Sequence, residues 1–216
     1  MAKYSYDYPR PALTVDIVLF TFKDDKLHTL LIQRGHEPFA GMWAYPGGFV
    51  DDDETAEQAA IRELWEETGV HNIKLEQLFT DTELNRDPRG WIISVVFAAT
   101  VPETTVINAG DDARLAEWHP VHEPPEMVFG HELFLLKALN RFQLQLLNNV
   151  FGKDLLPEEF ELKLLYKLYL QLIDIPEQVE KIVKRLVNFR VLVQIGEKWH
   201  FEKGRYEAVQ KGGFLR

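Results

Sequence analysis

Three glutamates lie close together in one segment of strong helix-forming residues. Glu63 precedes Glu66 by three positions and Glu67 by four, and on a helix these spacings place side chains on one face. Like charges at this spacing destabilise a helix, so a segment that gathers them indicates a bound cation. Carboxylate oxygens suit a hard divalent ion. We therefore predict that Glu63, Glu66 and Glu67 bind Mg²⁺ or, failing that, Mn²⁺. The alternative is a solvated acidic helix face.

The residues around these glutamates follow a fixed spacing over residues 48–70. Five residues separate Gly48 from Glu54, seven more separate Glu54 from Arg62, and the run RELWEETGV follows from Arg62. This pattern, G-x5-E-x7-R-E-U-x-E-E-x-G-U with U aliphatic, resembles the Nudix hydrolase family. The resemblance implies an α/β/α sandwich whose loop–helix–loop holds a pyrophosphate on metal ions, and it implies that Arg62 pairs with an acidic neighbour and orients the ligands. The implied catalytic residues are Glu54, Arg62, Glu63, Glu66 and Glu67.

Residues outside this pattern are candidates for substrate binding. Gly47 and Gly48 allow the backbone to approach a metal or phosphate closely, and in similar proteins a carbonyl here is itself a ligand. The segment LLIQRGHEPFAGMWAYPGGFV and the run NRDPRG resemble the ADP-ribose branch of the family. Arg34, Arg86 and Arg89 are therefore expected to contact nucleotide or phosphate. The alternatives are a surface arginine at a strand end for Arg34 and a charged hairpin loop for the other two.

The residue that activates water is harder to identify from the sequence. Asp111 and Asp112 precede a strand, in a loop that in similar proteins sometimes supplies a catalytic base or a further metal ligand. The segment INAGDD is also typical of an ordinary turn. Both interpretations stay open for these two aspartates.

Strands and one helix must position these side chains. Apolar and β-branched runs predict a hairpin, and helix-forming residues followed by Gly69 predict a helix that begins near Thr55. Trp65 and Leu168 fall at helical spacing and are expected in the core. The order indicates an α+β fold with a mixed sheet covered by helices. The predicted strands are residues 11–22, 27–33, 73–79, 91–101 and 114–119, and the helix is 55–68.

The chain becomes mainly helical after residue 130. Apolar periodicity predicts helices over residues 132–148 and 158–173, and Pro176 is suited to start a third. The strand candidates VLVQI and WHF follow, then a short helix near residues 205–210, which is the order of a winged helix. We predict a Nudix domain over residues 1–148, including a linking helix at about 130–148 that His131 starts, and a winged-helix-like domain over residues 149–216. The alternative is a helical extension that packs on the first domain or forms a dimer.

The whole-chain order resembles the Nudix-related transcriptional regulators of the NrtR type. In that family ADP-ribose or another ligand binds the Nudix domain and alters DNA binding. Glu177 and Glu180 count against DNA binding, because they occupy the first turns of the helix that would read DNA. The possible DNA-binding residues on this helix and just after it are Lys181, Lys184, Arg185 and Arg190.

Composition limits the function classes further. The chain contains no cysteine, which excludes disulfides, thiolate metal sites and cysteine nucleophiles. Its net charge is −10; residues 1–149 carry 12 basic and 24 acidic side chains, and residues 150–216 carry 12 and 10. This asymmetry indicates two parts with different partners. The N-terminus lacks the pattern of a signal peptide, so a cytoplasmic protein without membrane contact is expected.

These observations lead to one function and one alternative. We expect a Mg²⁺-dependent pyrophosphohydrolase that cleaves ADP-ribose, or a related nucleoside diphosphate derivative, to a nucleoside monophosphate and a sugar phosphate. The alternative is an NrtR-type regulator that binds DNA in response to a ligand, with or without hydrolase activity. The resemblance also implies a homodimer.

Overall fold

A mixed sheet forms the centre of the fold. The computed structural model describes residues 7–110 and 113–214. Strand β1 (Ala12–Lys23) pairs antiparallel with β2 (Lys26–Arg34) and parallel with β6 (Ile92–Thr100). The first half of β1 also pairs with the short strand β4 (Gly47–Phe49). The predicted hairpin is confirmed, and β1 is the strand on which the rest of the sheet is assembled.

Three further strands complete this sheet. They are β3 (Trp43–Ala44), β5 (Glu76–Asp81) and β7 (Ala113–Pro120). Within the described residues the sheet has seven strands, in the order β3-β2-β1-β6-β5, with β4 on β1 and β7 on β2. The strand predicted from residue 73 begins at Glu76, and the other predicted strands agree with the structure to within about two residues, the usual uncertainty of strand ends.

Helices cover both faces of the sheet. On β1, Val15, Ile17 and Leu19 face α1 (Ala56–Thr68) and pack with its Ala60 and Leu64. The alternate residues, such as Val18 and Phe20, belong to the core formed with α2 (His131–Asn148). Because successive side chains of a strand point to opposite faces, one strand serves both cores. The predicted α+β fold, an α/β/α sandwich, is confirmed.

The caps of α1 explain its position in the chain. The Thr55 hydroxyl oxygen accepts a hydrogen bond from the Gln58 amide, and the side-chain oxygen of Gln58 accepts one from the Thr55 amide, so that the two residues form a capping box. Gly69 ends the helix in the left-handed conformation with φ of 71°, which glycine adopts without strain. The helix prediction is confirmed. The prediction that Trp65 is a core residue is wrong, since 57% of its surface is exposed.

The C-terminal part follows the predicted order of elements. A 3₁₀ turn at Lys153–Leu155 precedes the first helix of this part. The helix predicted from residue 158 begins only at Leu162, because the backbone of Phe160 instead pairs with Trp199 through hydrogen bonds of 2.9 and 2.8 Å. Helix, helix, hairpin and short helix are the order of a winged helix. The elements are α3 (Leu162–Leu172), α4 (Pro176–Asn188), β8 (Leu192–Ile195), β9 (Lys198–Phe201) and α5 (Lys203–Gly212).

The apolar core continues from the sheet into this C-terminal part. Leu165, Leu168 and Tyr169 of α3 are fully buried in the same cluster as Phe20 and Phe142. Polar contacts also join the C-terminal part to the region of the sheet, including the ion pair between Lys167 and Asp25. The prediction that Leu168 is a core residue is confirmed, whereas the boundary placed at residue 149 stays a prediction. No helix among the described residues is long and apolar enough to cross a membrane.

We expect Leu168→Ala to lower the free energy of unfolding by about 2–5 kcal/mol, because it opens a cavity in this shared core. Thermal and urea unfolding would measure the loss. The matched control is Leu144→Ala, since Leu144 lies on α2 with 50% of its surface exposed. This substitution should change the free energy of unfolding little. If the variant melts in two separate steps with only the second step shifted, the shared core does not couple the two parts.

Candidate active site

The two glycines of β4 make a close approach that a side chain would prevent. Gly47 and Gly48 pair with Asp16 and Val15 of β1. A Cβ atom at Gly47 would lie 2.1 Å from the Val15 carbonyl oxygen. A Cβ atom at Gly48 would lie 2.2 Å from Oε1 of Glu63. The absence of side chains at both positions therefore lets a strand of the sheet and a carboxylate of α1 meet.

Glu67 is held against the same backbone. The Gly47 amide donates a hydrogen bond of 2.9 Å to Oε2 of Glu67, and only 7% of this residue is exposed. A buried carboxylate needs such a partner, because loss of its hydration is costly. The strand β4 and the helix α1 are thus joined by two carboxylate contacts, one to each glycine.

Arg62 lies among the remaining carboxylates. Its Nε and Nη2 donate to both oxygens of Glu54 at 3.1 and 2.5 Å, and Nη1 donates to Glu63 at 2.7 Å and to Glu66 at 3.0 Å. Nη2 also donates to the Phe49 carbonyl oxygen at 3.1 Å. One guanidinium therefore offsets the repulsion among three carboxylates and ties the helix to the loop.

These contacts shift the pKa values of the groups that make them. Hydrogen bonds from Arg62 lower the pKa of the Glu54 carboxyl, and the carboxylates in turn raise the pKa of Arg62, with Glu54 as the largest cause. Burial raises the pKa of Glu63 despite the opposing effect of Arg62. Of Glu54 and Glu63, loss of solvation therefore prevails only at Glu63, the carboxylate that packs against Gly48.

A cavity of about 250 Å³ opens beside these groups. Gly47, Gly48, Glu63 and Glu67 line it, whereas Glu66 does not. In residues 7–110 and 113–214, no three acidic or histidine side chains converge on one point; Arg62 and the Gly47 amide each engage carboxylates. Two carboxylates beside a glycine backbone still form a hard oxygen donor set that fits a divalent cation. The structure favours Glu63 and Glu67 over Glu66 as residues that face the cavity.

Two of the three predicted substrate arginines line this cavity, and the third is internal. Arg34 and Arg89 lie on its wall. Arg86 has only 8% of its side chain exposed, with Nε 3.0 Å from Oδ2 of Asp81 and a hydrogen bond from Nη1 to the Phe129 carbonyl oxygen. These contacts hold the Arg86 guanidinium inside the protein, but Arg86 also lines an adjoining cavity with Arg34 and Arg89, so that its role in substrate binding stays a prediction.

Sequence reasoning missed a buried polar network beneath the glycines. His131 starts α2, as expected, but its Nδ1 accepts a hydrogen bond of 2.9 Å from the Tyr45 amide. Its Nε2 lies 3.3 Å from Oδ1 of Asp16, and Ser94 donates to Oδ2 of the same carboxylate. Burial alone raises the pKa of Asp16, but His131 and the hydrogen bonds outweigh it, and the pKa is lowered. Asp16 and His131 are 115 positions apart in the chain, and no local pattern connects them.

The predicted DNA-binding residues do not share one surface. Lys181, Lys184 and Arg190 are exposed, and Lys184 pairs with Glu180 at 2.6 Å. Arg185 instead points inward, where it donates to the carbonyl oxygens of Leu147 and Leu146 at 2.9 and 3.2 Å and lies under the Phe214 ring. Arg185 thus satisfies C-terminal carbonyl oxygens of α2, and its expected role in DNA binding stays a prediction. Asp111 and Asp112 lie outside the described residues.

A glycine strand that meets a carboxylate-bearing helix at one end of a mixed sheet places the protein in the class of Nudix hydrolases. The match to the NUDIX domain over residues 10–138 agrees. Because that match spans more than half of the chain, the protein belongs to the NUDIX family.

Two curated relatives resemble the chain in different ways. The ADP-ribose pyrophosphatase of Methanocaldococcus jannaschii is 42% identical over 125 residues, which cover 58% of this chain and 71% of the relative. The ADPR responsive transcriptional repressor NtrR of Acinetobacter baylyi is 32% identical over 167 residues, which cover 76% of this chain and 67% of the repressor. The second likeness extends beyond the NUDIX domain into the C-terminal part.

Solved structures resemble nearly the whole chain. The structure of Shewanella oneidensis NrtR has a TM-score of 0.77 at 30% identity and covers 95% of this chain and 99% of that one. The same protein complexed with a 27mer DNA has a TM-score of 0.74 at 29% identity, with 94% and 98% covered. The arrangement of a NUDIX domain followed by a small C-terminal unit is therefore shared with NrtR structures.

We expect Gly48→Ala to reduce hydrolase turnover by about 100-fold or more, because its Cβ atom would displace the Glu63 carboxylate from the glycine strand. Steady-state kinetics with a nucleoside diphosphate substrate would measure the loss. Gly204→Ala is the matched control, since a Cβ there meets only the end of Glu202 at 3.6 Å. Normal turnover in Gly48→Ala, with a crystal structure showing Glu63 in place, would contradict the geometry.

Proposed function

We propose that the protein hydrolyses ADP-ribose or a closely related nucleoside diphosphate derivative to a nucleoside monophosphate and a sugar phosphate. One observation carries the proposal: a single cavity is lined both by the carboxylates of Glu63 and Glu67 and by Arg34 and Arg89. Carboxylates for a cation and guanidinium groups for phosphate are the complement of a metal-bound diphosphate. The Methanocaldococcus jannaschii pyrophosphatase supports ADP-ribose as the substrate.

A second comparison supports the same ligand. The NUDIX domain of Shewanella oneidensis NrtR complexed with ADP ribose is 36% identical, with a TM-score of 0.57, and covers 63% of this chain and 93% of that one. That structure is of a NUDIX domain, and the cavity of this chain lies within residues 10–138, which match the NUDIX domain. We therefore place ADP-ribose first among the substrates to be tested.

Each group has a proposed task in the reaction. Water attacks a phosphorus atom of the diphosphate, and the bond to the leaving phosphate oxygen breaks. Mg²⁺ or Mn²⁺ bound at Glu63 and Glu67, with Glu66 in support, would neutralise charge on the phosphate oxygens. Arg62 holds the carboxylates in place, and Glu54 holds Arg62. Asp111 and Asp112 are the candidates for the base that accepts the proton of the water.

We propose ligand-controlled DNA binding as a second function of the same chain. The observation that favours it is the likeness to NrtR complexed with DNA over 94% of the chain, together with the repressor from Acinetobacter baylyi. Lys181 and Arg190 are exposed on and just after α4, while Glu177 and Glu180 reduce the positive charge there. A homodimer, which the same likeness favours, also stays a prediction.

We expect Glu67→Gln to reduce turnover of ADP-ribose by orders of magnitude, about 100-fold or more, because it removes a charged oxygen donor from the cavity. The measurement is release of the nucleoside monophosphate with Mg²⁺ and with Mn²⁺, across a panel of nucleotide sugars. The amide keeps the size of the side chain, so the melting temperature should change by only a few degrees.

The control for this experiment is Glu57→Gln in the first turn of α1. Glu57 is exposed and does not line the cavity, so its loss removes the same charge from the same helix without touching the site. Equal activity of the two variants would show that Glu67 is not a metal ligand. Absence of turnover of every nucleoside diphosphate compound by the unaltered protein would overturn the hydrolase proposal.

We expect the protein to bind the DNA upstream of its own gene, measured as slower migration of that DNA in a gel at low salt. The affinity should fall as salt rises and should change when ADP-ribose is added. Lys181→Glu and Arg190→Glu should each weaken binding, because each loses a cation and gains a charge that repels phosphate. Lys203→Glu on α5 is the matched control for net charge. Equal weakening by all three variants, or no shift, would count against α4 as the DNA-reading helix.

A further inference from the structure

Phe129 touches all three arginines that the sequence marks as candidates for substrate binding. The Arg34 guanidinium lies 5.0 Å from the centre of its ring, and the Arg89 guanidinium lies 5.3 Å from it. Arg86 donates a hydrogen bond of 3.2 Å to the Phe129 carbonyl oxygen. One residue therefore contacts three cationic groups that arise from two separate segments of the chain, the end of β2 and the run NRDPRG.

The arginines and aromatic rings alternate along this wall. Arg89 also lies 4.9 Å from the centre of the Phe49 ring. The spatial order along the wall is therefore Phe49, Arg89, Phe129 and Arg34. Asp87 holds Arg89 from the side, through both carboxylate oxygens at 2.6 to 3.1 Å. Cation–π contacts of this kind restrict a guanidinium without consuming its N–H donors. The wall thus limits the orientation of Arg34 and Arg89 where they line the cavity.

The backbone of Phe129 is held in an unfavourable conformation. Its φ is 59°, in the left-handed region that bulky residues avoid, and Gly130 follows at 68°. Hydrogen bonds from Val128 to Trp43 and from His131 back to Val128 hold the segment on both sides. Only 8% of Phe129 is exposed. Strain that is retained in this way clusters at functional sites, and here it directs the ring between two guanidinium groups.

We propose that Phe129 is a positioning residue for substrate binding, and this proposal rests on the proposed hydrolase function. Its ring orients Arg34 and Arg89, and its carbonyl oxygen anchors Arg86 behind them. Phe129 itself does not need to contact the substrate. Because the arginines would bind the phosphates before and during the reaction alike, loss of the ring should weaken binding more than it slows the chemical step.

The test compares Phe129→Leu with Phe129→Tyr. The leucine variant should raise KM for ADP-ribose about ten-fold and leave kcat within about two-fold, whereas the tyrosine variant keeps the ring and should stay within about two-fold in both. Phe151→Leu is the matched control: Phe151 is also buried and packs on Phe142 in the core formed with α2, so that its substitution should lower stability without changing KM. An unchanged KM in Phe129→Leu, or an equal rise in Phe151→Leu, overturns the proposal.

A double-mutant cycle shows whether Phe129 acts through the arginines. In a chain that already carries Arg34→Gln and Arg89→Gln, adding Phe129→Leu should produce no further rise in KM. A further ten-fold rise would show that the ring contacts the substrate directly and would overturn a positioning role.

A binding measurement separates this proposal from the proposed function. Calorimetry with ADP-ribose and with ADP, in EDTA so that no turnover occurs, gives Kd for the unaltered chain and for Phe129→Leu. A ten-fold weaker Kd in the variant supports the positioning role even if the unaltered protein hydrolyses neither compound, a result that would overturn the hydrolase proposal alone. Failure of the unaltered protein to bind either compound overturns the positioning role.

Discussion

The site depends on one guanidinium placed among carboxylates of like charge. Glu63, Glu66 and Glu54 all accept hydrogen bonds from Arg62, and without it their mutual repulsion would force them apart. The same group donates to the Phe49 carbonyl oxygen and so fixes the end of β4 to the helix. Acidic side chains on one face destabilise a helix; here Arg62, itself on α1, offsets that repulsion and joins the helix to Glu54 and Phe49.

The sheet supplies the other half of this constraint. Strand β1 pairs with β4 through Asp16 and Val15, and it is this pairing that brings Gly47 and Gly48 beneath the carboxylates. Buried polar groups on the reverse side, Asp16 and His131 with the Tyr45 amide, join β1 to the start of α2. Such a network is costly unless every member has a partner. The glycine strand is thereby held from both sides.

Helix α2 runs between the two regions for which functions are proposed, the cavity and helix α4. It begins beside the cavity, directly after Phe129, and its last carbonyl oxygens accept hydrogen bonds from Arg185 of α4. An 18-residue helix spans about 27 Å at 1.5 Å per residue. Helix α2 therefore joins the region of the cavity to α4 through direct contacts. Arg185, which the sequence suggested as a phosphate ligand, makes this connection.

The sequence by itself determined what depends on local spacing. The carboxylates on one helical face, the capping residues Thr55 and Gly69, the strands and the order of the C-terminal elements all follow from residues near one another in the chain. Tertiary structure alone decided which charged groups face solvent and which are buried. Arg86 and Arg185 look like exposed cations in sequence, but each is turned inward by a partner more than 30 positions away, Phe129 or Leu147. The pair of Asp16 and His131 could not be predicted from the sequence, because burial and long-range partners follow from packing rather than from spacing along the chain.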